Sequence, residues 1–358
     1  MVIEQLKITN FRCFSNYTTH FSPEINIITG LNASGKTSIL EAIYCLGLIK
    51  SFRTFNQNEL IKDENDFFLI DGKVFVKQNA EQISVLGTLD GKRVKLNNYQ
   101  YKRLSDFIGY FNVVCFSALD FLMLKGSSSE RRKLFDLIIC QISKDYVSLS
   151  NNYKFILKER NALLKRLMFE NKDNLWTLLD VITKNLVDVG KRIIEIREKY
   201  IKEISDFAAI EHAKITDGKE QLNLVYVPCV TVLDFENKMS FSRQEDLKKG
   251  HTNFGPHRDD CIFIINNKNT AIYGSQGQQR NALLSVKLGM AQLLLKIKKD
   301  APVLLLDDVF SELDKNRQNA IINSLSSDFQ TIITAASITD LDQKIVDKSK
   351  VIYIERSV

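Results

Sequence analysis

The 358-residue chain is poor in the residues that build metal centres and covalent scaffolds. Its four histidines are scattered, and its six cysteines (Cys13, Cys45, Cys115, Cys140, Cys229 and Cys261) include no CxxC pair. Neither a zinc site nor a disulfide framework is indicated. Most of these thiols sit in apolar segments, where a small buried side chain is the plainer reading. No run of about 18 uncharged apolar residues occurs, and the start of the chain lacks a basic segment leading into an apolar stretch and a small-residue cleavage site. The protein is therefore expected in the cytoplasm, without a membrane. Internal repeats and low-complexity tracts are also absent. What is present, 44% apolar and 26% charged residues, fits a globular chain of roughly two domains of 100 to 200 residues each. The net charge of +6 permits a nucleic-acid partner without demanding one.

The first third reads as strands and turns. VIEQLKITNF alternates, INIITG is an apolar run ending in glycine, and SILEAIYCLGLI carries helical spacing. Asp71-Gly72 and Asp90-Gly91 read as hairpin turns within β-branched and aromatic runs. From about Ser127 to Phe207 the pattern changes to charged helical stretches with no proline and a single glycine, Gly190. Val189, Ile193, Ile196 and Tyr200 give about two heptads of apolar seam, enough for a short helical arm. LNLVYVP restores strand character, and the last hundred residues alternate strand and helix through CIFIIN, PVLLLDD, TIITAAS and VIYIE, which predicts a parallel sheet. The expected organisation is one α/β domain from both chain ends, residues 1–124 and 222–358, with a mostly helical arm at 125–221 inserted between them.

GLNASGKTS, Gly30 to Ser38, fits G-x-x-x-x-G-K-[ST] between an apolar strand and a helix, the context that identifies a phosphate loop. Loop and helix-start amides, from Gly30 through Asn32, Ser34 and Gly35 to Ser38, suit an anion because unpaired donors and the helix dipole both favour one there. Lys36 is expected to bridge the β- and γ-phosphates of ATP, and Thr37 to ligate Mg²⁺. APVLLLDDVFSELD supplies the partner motif. Packing explains Val303 to Leu306, but not the two acids that follow at the carboxyl edge of a buried strand, where ligands of open α/β sheets bind. Asp307 is the expected Mg²⁺ acid and Asp308 the acid that polarises the attacking water.

NFRCF, LNASGKTSILEAIYCLGLIKSFRT, KGSSSERRKLFD, NFGPHRDD, YGSQGQQR and LLLDDVFSELD occur in that order. Together they resemble the RecF family of DNA replication and repair proteins, in the SMC-like branch of the ABC-type ATPases, over nearly the whole chain. The resemblance implies a P-loop NTPase head that binds ATP and Mg²⁺. It implies a protein that closes as an ATP-dependent homodimer on double-stranded or gapped DNA and works with RecR and RecO to help load a recombinase. It assigns Ser275, Gln276, Gly277 and Gln278 to the signature that meets the γ-phosphate held by a second copy, and Arg12 to the nucleotide phosphates. Asp308 is one methylene shorter than the glutamate common in ABC ATPases, so its carboxylate sits about 1 Å further back, a displacement that costs on the order of 100-fold and predicts slow hydrolysis.

The chain also departs from the family pattern. Ala33 stands where the family places glycine, and FSALD at Phe116 to Asp120 lacks the usual proline and acid. No histidine follows His257, which leaves Thr334 and Ser337 as local candidates for the γ-phosphate sensor. His257 and Arg258 of NFGPHRDD are expected to have a structural and nucleotide-linked role. The DNA surface has two candidates: Arg131, Arg132 and Lys133 with the arm, or the segment KRVKLNNYQYKR, which also reads as a plain hairpin around Asn97-Asn98. A long-armed SMC-type head and a transporter-type ABC subunit are the alternative functions.

Overall fold

The computed structural model describes residues 1–170, 172–310, 315–324 and 328–355; Ser311 to Asp314 of the SELD motif lie outside them. Three sheets organise the chain. The first is antiparallel, in the order β2-β1-β4-β5-β6-β7, with β1 at Val2–Phe11, β2 at Phe14–His20, β4 at Phe67–Val76, β5 at Asn79–Thr88, β6 at Gly91–Leu96 and β7 at Tyr99–Gln100. The second is parallel, in the order β14-β3-β13-β12-β8, formed by Ser349–Ile354, Ile25–Gly30, Thr331–Ala335, Val303–Asp307 and Val113–Phe116 respectively. The third sheet, β11-β10-β9, is antiparallel and built from Lys268–Asn269, Asp260–Ile265 and Leu222–Val227.

The parallel sheet joins the two ends of the chain, and side-chain alternation between two cores explains why its central strands are mostly apolar. Ile28, Val303, Leu305 and Ile332 point into a core shared with the first sheet and the Lys36–Leu48 helix. Their neighbours Ile27, Leu304, Leu306 and Ile333 point into a second core made by the Ser128–Ile142, Asp173–Ile215 and Gln276–Lys298 helices. Each fully buried Leu or Ile contributes about 1.5–3 kcal/mol, so strands covered on both faces need no polar residue until they reach the open edge.

Two expectations about turns and pairing are corrected. Asp71-Gly72 lies inside β4, and the turn falls instead at Lys77-Gln78, both in left-handed backbone (φ 49° and 69°). Gly72 serves packing: a Cβ there would lie 2.5 Å from Leu46 Cδ1, so the helix approaches the sheet only over a bare backbone. CIFIIN, read as part of the parallel sheet, is β10, which pairs antiparallel with β9. The Asn97 turn does form a hairpin, with Leu96 opposite Tyr99.

The helical region holds the Lys144–Leu167 helix against the first half of the 43-residue Asp173–Ile215 helix. The second half of that long helix is not a free seam. Ile193, Ile201, Ile204 and Ala208 are buried in the second core, and Gly289 lets the Gln276–Lys298 helix approach so closely that a Cβ would lie 2.7 Å from the Ala208 amide. Among the described residues no helix is long and apolar enough to cross a membrane.

Candidate functional site

The segment after β3 bends tightly into the Lys36–Leu48 helix, and three left-handed residues make the bend: Gly30 (φ 151°), Ala33 (φ 63°) and Gly35 (φ 103°). Ala33 thus adopts the conformation a glycine would take, at a cost of roughly 1–2 kcal/mol. Gly30 and Gly35 are required sterically as well. A Cβ at Gly30 would strike the Ile354 carbonyl, and one at Gly35 would lie 2.5 Å from the Phe14 ring and 2.8 Å from Cys13 Sγ. Lys36 Nζ donates to the carbonyls of Gly30 (2.7 Å) and Leu31 (3.0 Å), which draws the ammonium over the loop. Among the described residues the buried Ser34 hydroxyl has no hydrogen-bond partner, and Ser38 is buried in the first turn of the helix.

The acidic end of β12 lies against this loop because β12 and β3 flank β13. Thr37 Oγ1 donates to Asp307 Oδ1 at 2.9 Å, and Thr334 Oγ1, from β13, donates to the same oxygen at 2.9 Å. Burial pushes the Asp307 carboxyl above its ordinary range, the two hydroxyls oppose that shift, and the neighbouring Asp308 charge adds to it. Asp308 is exposed and held in left-handed backbone (φ 54°), with its amide donating to Thr334 Oγ1 at 2.9 Å. Thr334 therefore ties both acids to the sheet. Ser337, the other sensor candidate, is occupied in capping Ile338–Asp340, where its hydroxyl accepts from the Thr339 amide.

A cavity of ≈ 520 Å³ opens here, lined on the loop side by Asn32, Ala33, Gly35, Lys36, Thr37 and Ser38, and on the sheet side by Asp308 and Thr334. Its far wall brings in Arg12, Cys13, Arg53 and Glu59. Arg12 forks onto Glu41 through Nε (2.9 Å) and Nη2 (2.7 Å), and its Nη1 donates to the Glu59 carbonyl at 2.8 Å. Burial works against the Arg12 charge, but the Glu41 hydrogen bonds and charge more than offset it and hold the pKa above its ordinary value. Arg53 reaches Glu41 more loosely, at 3.4 Å, and the Ser51 hydroxyl also donates to it. Glu41, completely buried, is thus the hub of this wall. Sequence reasoning missed it and Arg53. The available signal was one carboxylate in the otherwise apolar run SILEAIYCLGL.

The signature segment sits elsewhere. Ser275 is exposed and caps the Gln276–Lys298 helix in a reciprocal box: its hydroxyl accepts from the Gln278 amide (3.2 Å), and Gln278 Oε1 accepts from the Ser275 amide (3.0 Å). Gln278 Nε2 also donates to Glu220 at 2.9 Å, and none of Ser275, Gln276, Gly277 and Gln278 lines the phosphate-loop cavity of its own chain.

NFGPHRDD is likewise distant from that cavity. Asp259, fully buried, accepts from Arg197 Nη1, Tyr226 and the Cys229 amide, and Asp260 receives both Nε (2.7 Å) and Nη2 (2.8 Å) of Arg131. His257 Nε2 lies 3.2 Å from the Thr252 carbonyl, so it carries the proton, and Nδ1 accepts from the Tyr153 hydroxyl at 2.9 Å. His257 is thus held by contacts within its own chain, as the structural part of its expected role requires, while Arg258 is exposed. Arg131 and Arg132, offered as part of a DNA surface, are half-buried and engaged within the chain. Arg131 is spent on Asp260, and Arg132 donates to the Asp259 carbonyl and to Ser128 Oγ. Lys133 alone of the three is exposed, 4.8 Å above the centre of the Phe55 ring.

The donor set fits a nucleoside triphosphate with a divalent cation. A bare-backbone cradle, an unpartnered buried hydroxyl, a loop ammonium, and a hydroxyl–carboxylate pair beside a second acid meet at one cavity. Comparison with known proteins agrees. The model of the RecF/RecN/SMC N-terminal domain family matches residues 2–356. The chain is similar to the DNA replication and repair protein RecF of Bacillus thuringiensis (strain Al Hakam) and of Bacillus cereus (strain B4264). It is 36% identical to each over 99% of its own length and 97% of theirs. Two solved structures of the recombination mediator protein RecF in the RecFOR pathway, as RecF-ATP and RecF-ATPrS, are similar at TM-scores of 0.88 and 0.87. Both are 33% identical and cover 95% of this chain, and 93% and 94% of their own. An Smc head domain derived from Pyrococcus furiosus reaches a TM-score of 0.56 at 18% identity over 99% of this chain and 94% of its own, a likeness of fold alone.

Proposed function

Because this chain belongs to the RecF family of DNA replication and repair proteins, within the RecF/RecN/SMC group of ABC-type ATPases, we propose that it is an ATP-dependent DNA-binding switch. In this reading it closes as a homodimer on duplex or gapped DNA when it binds ATP, hydrolyses ATP slowly, and is released by hydrolysis. It acts in the cytoplasm with RecR and RecO to help load a recombinase at single-strand gaps. The observation that carries the reading is the meeting of the loop and the acids through Thr37, Asp307 and Thr334, in a chain whose own signature helix is turned elsewhere.

The residues divide the work by chemistry. Loop amides from Gly30 to Ser38 and the Lys36 ammonium bind and neutralise the triphosphate. Thr37 and Asp307 are the residues that would hold Mg²⁺, which supplies positive charge against the phosphate oxygens. Asp308 orients the attacking water and takes its proton, aimed outward by its left-handed backbone. Arg12, fixed by Glu41, presents positive charge at the far wall. Ser275 and Gly277 of a second copy offer a hydroxyl and bare amides to the γ-phosphate, so each site is composite.

The test is nucleotide binding, turnover and DNA binding of the full chain, with Lys36→Ala as the reference. The expected result is Mg²⁺-dependent ATP turnover that DNA stimulates and Lys36→Ala abolishes, with DNA held more tightly in ATP than in ADP. Turnover that is indifferent to Lys36, or equal DNA affinity in the two nucleotides, would remove the reading.

A further inference from the structure

Beside the ATP site lies a second cavity, of ≈ 570 Å³, between the end of the Lys36–Leu48 helix and the Ser128–Ile142 and Lys144–Leu167 helices. Its walls are mostly apolar, with Leu48 and Leu137 among them, and Gln141, Asp120 and Asp136 of the lining are engaged within the chain. Gln141 gives its oxygen to the Val113 amide and its amide to the Val113 carbonyl. Asp120 is paired with Lys287 at 3.0 Å, and Asp136 with Arg197 at 2.9 Å. Both carboxylates of the lining are therefore neutralised from within the chain.

The mouth is different. Lys50, Lys133 and Lys154 line it, all exposed, and among the described residues none of them makes an ion pair. Phe55 stands at the lip with 93% of its surface exposed, and Lys133 covers one face of its ring at 4.8 Å. An exposed aromatic ring with one face toward a cation, an apolar hollow behind it and three uncompensated ammonium groups around it match a strand of alternating phosphates and flat bases.

We propose that this groove receives an unpaired base of single-stranded DNA, with Phe55 stacking on it and Lys50, Lys133 and Lys154 neutralising the flanking phosphates. The site deepens the DNA-binding reading above and rests on it. A duplex cannot fill the hollow, because its bases are paired and stacked; a gap supplies free ones. With Gln141, Asp120 and Asp136 engaged within the chain and the remaining wall mostly apolar, binding rests on stacking and charge and is tolerant of sequence. Geometry also connects it to the nucleotide. Ser51 and Arg53, in the same short loop as Lys50 and Phe55, both bond to Glu41, and Arg53 lines the ATP cavity. A strand that orders the loop from one side therefore orders Arg53 on the other, and ATP reciprocates.

The test measures anisotropy of blunt duplex, gapped duplex and oligo-thymidine with ATP present, for the natural chain, Phe55→Ala and the triple variant Lys50→Gln, Lys133→Gln, Lys154→Gln. Phe55→Ala is expected to weaken gapped and single-stranded DNA by roughly 5- to 150-fold, the range of one base–aromatic stack, and to leave blunt duplex unchanged. The triple variant should reduce the salt slope on single strands by about 2, at about 0.7 per phosphate. A 2-aminopurine in the gap should change fluorescence on binding in the natural chain and not in Phe55→Ala. Equal affinity of all three chains for gapped DNA overturns the proposal while leaving DNA binding intact. Absence of any DNA binding by the natural chain removes the reading beneath it. If Phe55→Ala loses only an acidic, phenylalanine-bearing peptide, the groove serves a protein and the proposal falls. Thermal melting of Phe55→Ala should match the natural chain, since the ring is almost wholly in water.

Discussion

Thr37 and Asp307, 270 residues apart, are joined by a hydrogen bond of 2.9 Å, and this contact links the phosphate loop to the acidic strand end. Thr334 donates to the same carboxylate oxygen and also accepts the Asp308 amide, so two adjacent acids are fixed in different settings. Asp307 is mostly enclosed and bonded to two hydroxyls, while Asp308 is exposed.

That asymmetry predicts separable phenotypes. Asp307→Asn removes the charge expected to hold Mg²⁺ and should lower Mg²⁺-dependent ATP affinity. Asp308→Asn should keep ATP affinity and lose turnover by about 10²- to 10⁴-fold, the usual contribution of a positioned general base. Equilibrium ATP binding with and without Mg²⁺, combined with single-turnover hydrolysis, separates the two. A collapse of affinity in Asp308→Asn would show that the roles are exchanged.

The loop itself makes a second contrast. Gly35→Ala drives a Cβ against Phe14 and Cys13 at φ 103° and should abolish ATP binding, because loop and helix start must shift together. Ala33→Gly should be nearly neutral in melting temperature: it relieves left-handed strain of about 1 kcal/mol but adds a similar entropy to the unfolded chain. Calorimetric ATP titration and thermal melting of both variants check this. Full ATP affinity in Gly35→Ala would contradict the cradle.

His257 gives a pH dependence with a definite sign. Burial, with Arg258 and Arg132 adding, lowers its pKa to about 4 from the ordinary 6.5, against the hydrogen bond to Thr252. The unfolded chain therefore takes up the proton first, so stability is complete above about pH 6.5 and is lost as pH falls toward 4, by at most about 3 kcal/mol. His212, also lowered by burial, adds loss of the same sign. Urea denaturation at pH 7, 6 and 5 should show the decline, and His257→Gln should flatten much of it. An unchanged slope in that variant would place the linkage elsewhere.

Much of the nucleotide site was legible because its signals are local. The phosphate loop is a contiguous motif, and Asp307 and Asp308 interrupt a strand whose apolar residues are otherwise fully explained by burial. What escaped depends on which distant surfaces meet. Gly72 resembled a turn residue but makes room for Leu46. The seam from Val189 to Tyr200 read as part of a short helical arm but faces the body of its own chain. Arg131 and Arg132 looked like free cations because Asp260 and Asp259, which engage them, lie about 130 residues away in sequence. Glu41 was hidden by its neighbours, since a helix that is apolar all round discloses nothing about the arginines that converge on one carboxylate.

The last prediction concerns Ser275, which has two duties in the proposed dimer. Within its own chain it caps a 23-residue helix, with Gln278 completing the box. Across the interface it is proposed to meet the γ-phosphate on a second copy. Truncation to alanine would confuse the two, because losing a serine cap alone costs about 1 kcal/mol. Ser275→Asp separates them. Aspartate caps a helix as well as serine does, and its charge suits a helix N-terminus, so the fold and the melting temperature should hold. The same carboxylate, set against the triphosphate of a partner, repels it. The expected outcome is a chain that binds ATP with normal affinity and melts normally, yet remains monomeric in ATP by sedimentation and holds DNA as weakly as it does in ADP. Ser275→Asn, which caps without charge, should restore part of the dimer. An ATP-dependent dimer of normal strength in Ser275→Asp would confine Ser275 to its cap and leave the γ-phosphate to some other surface.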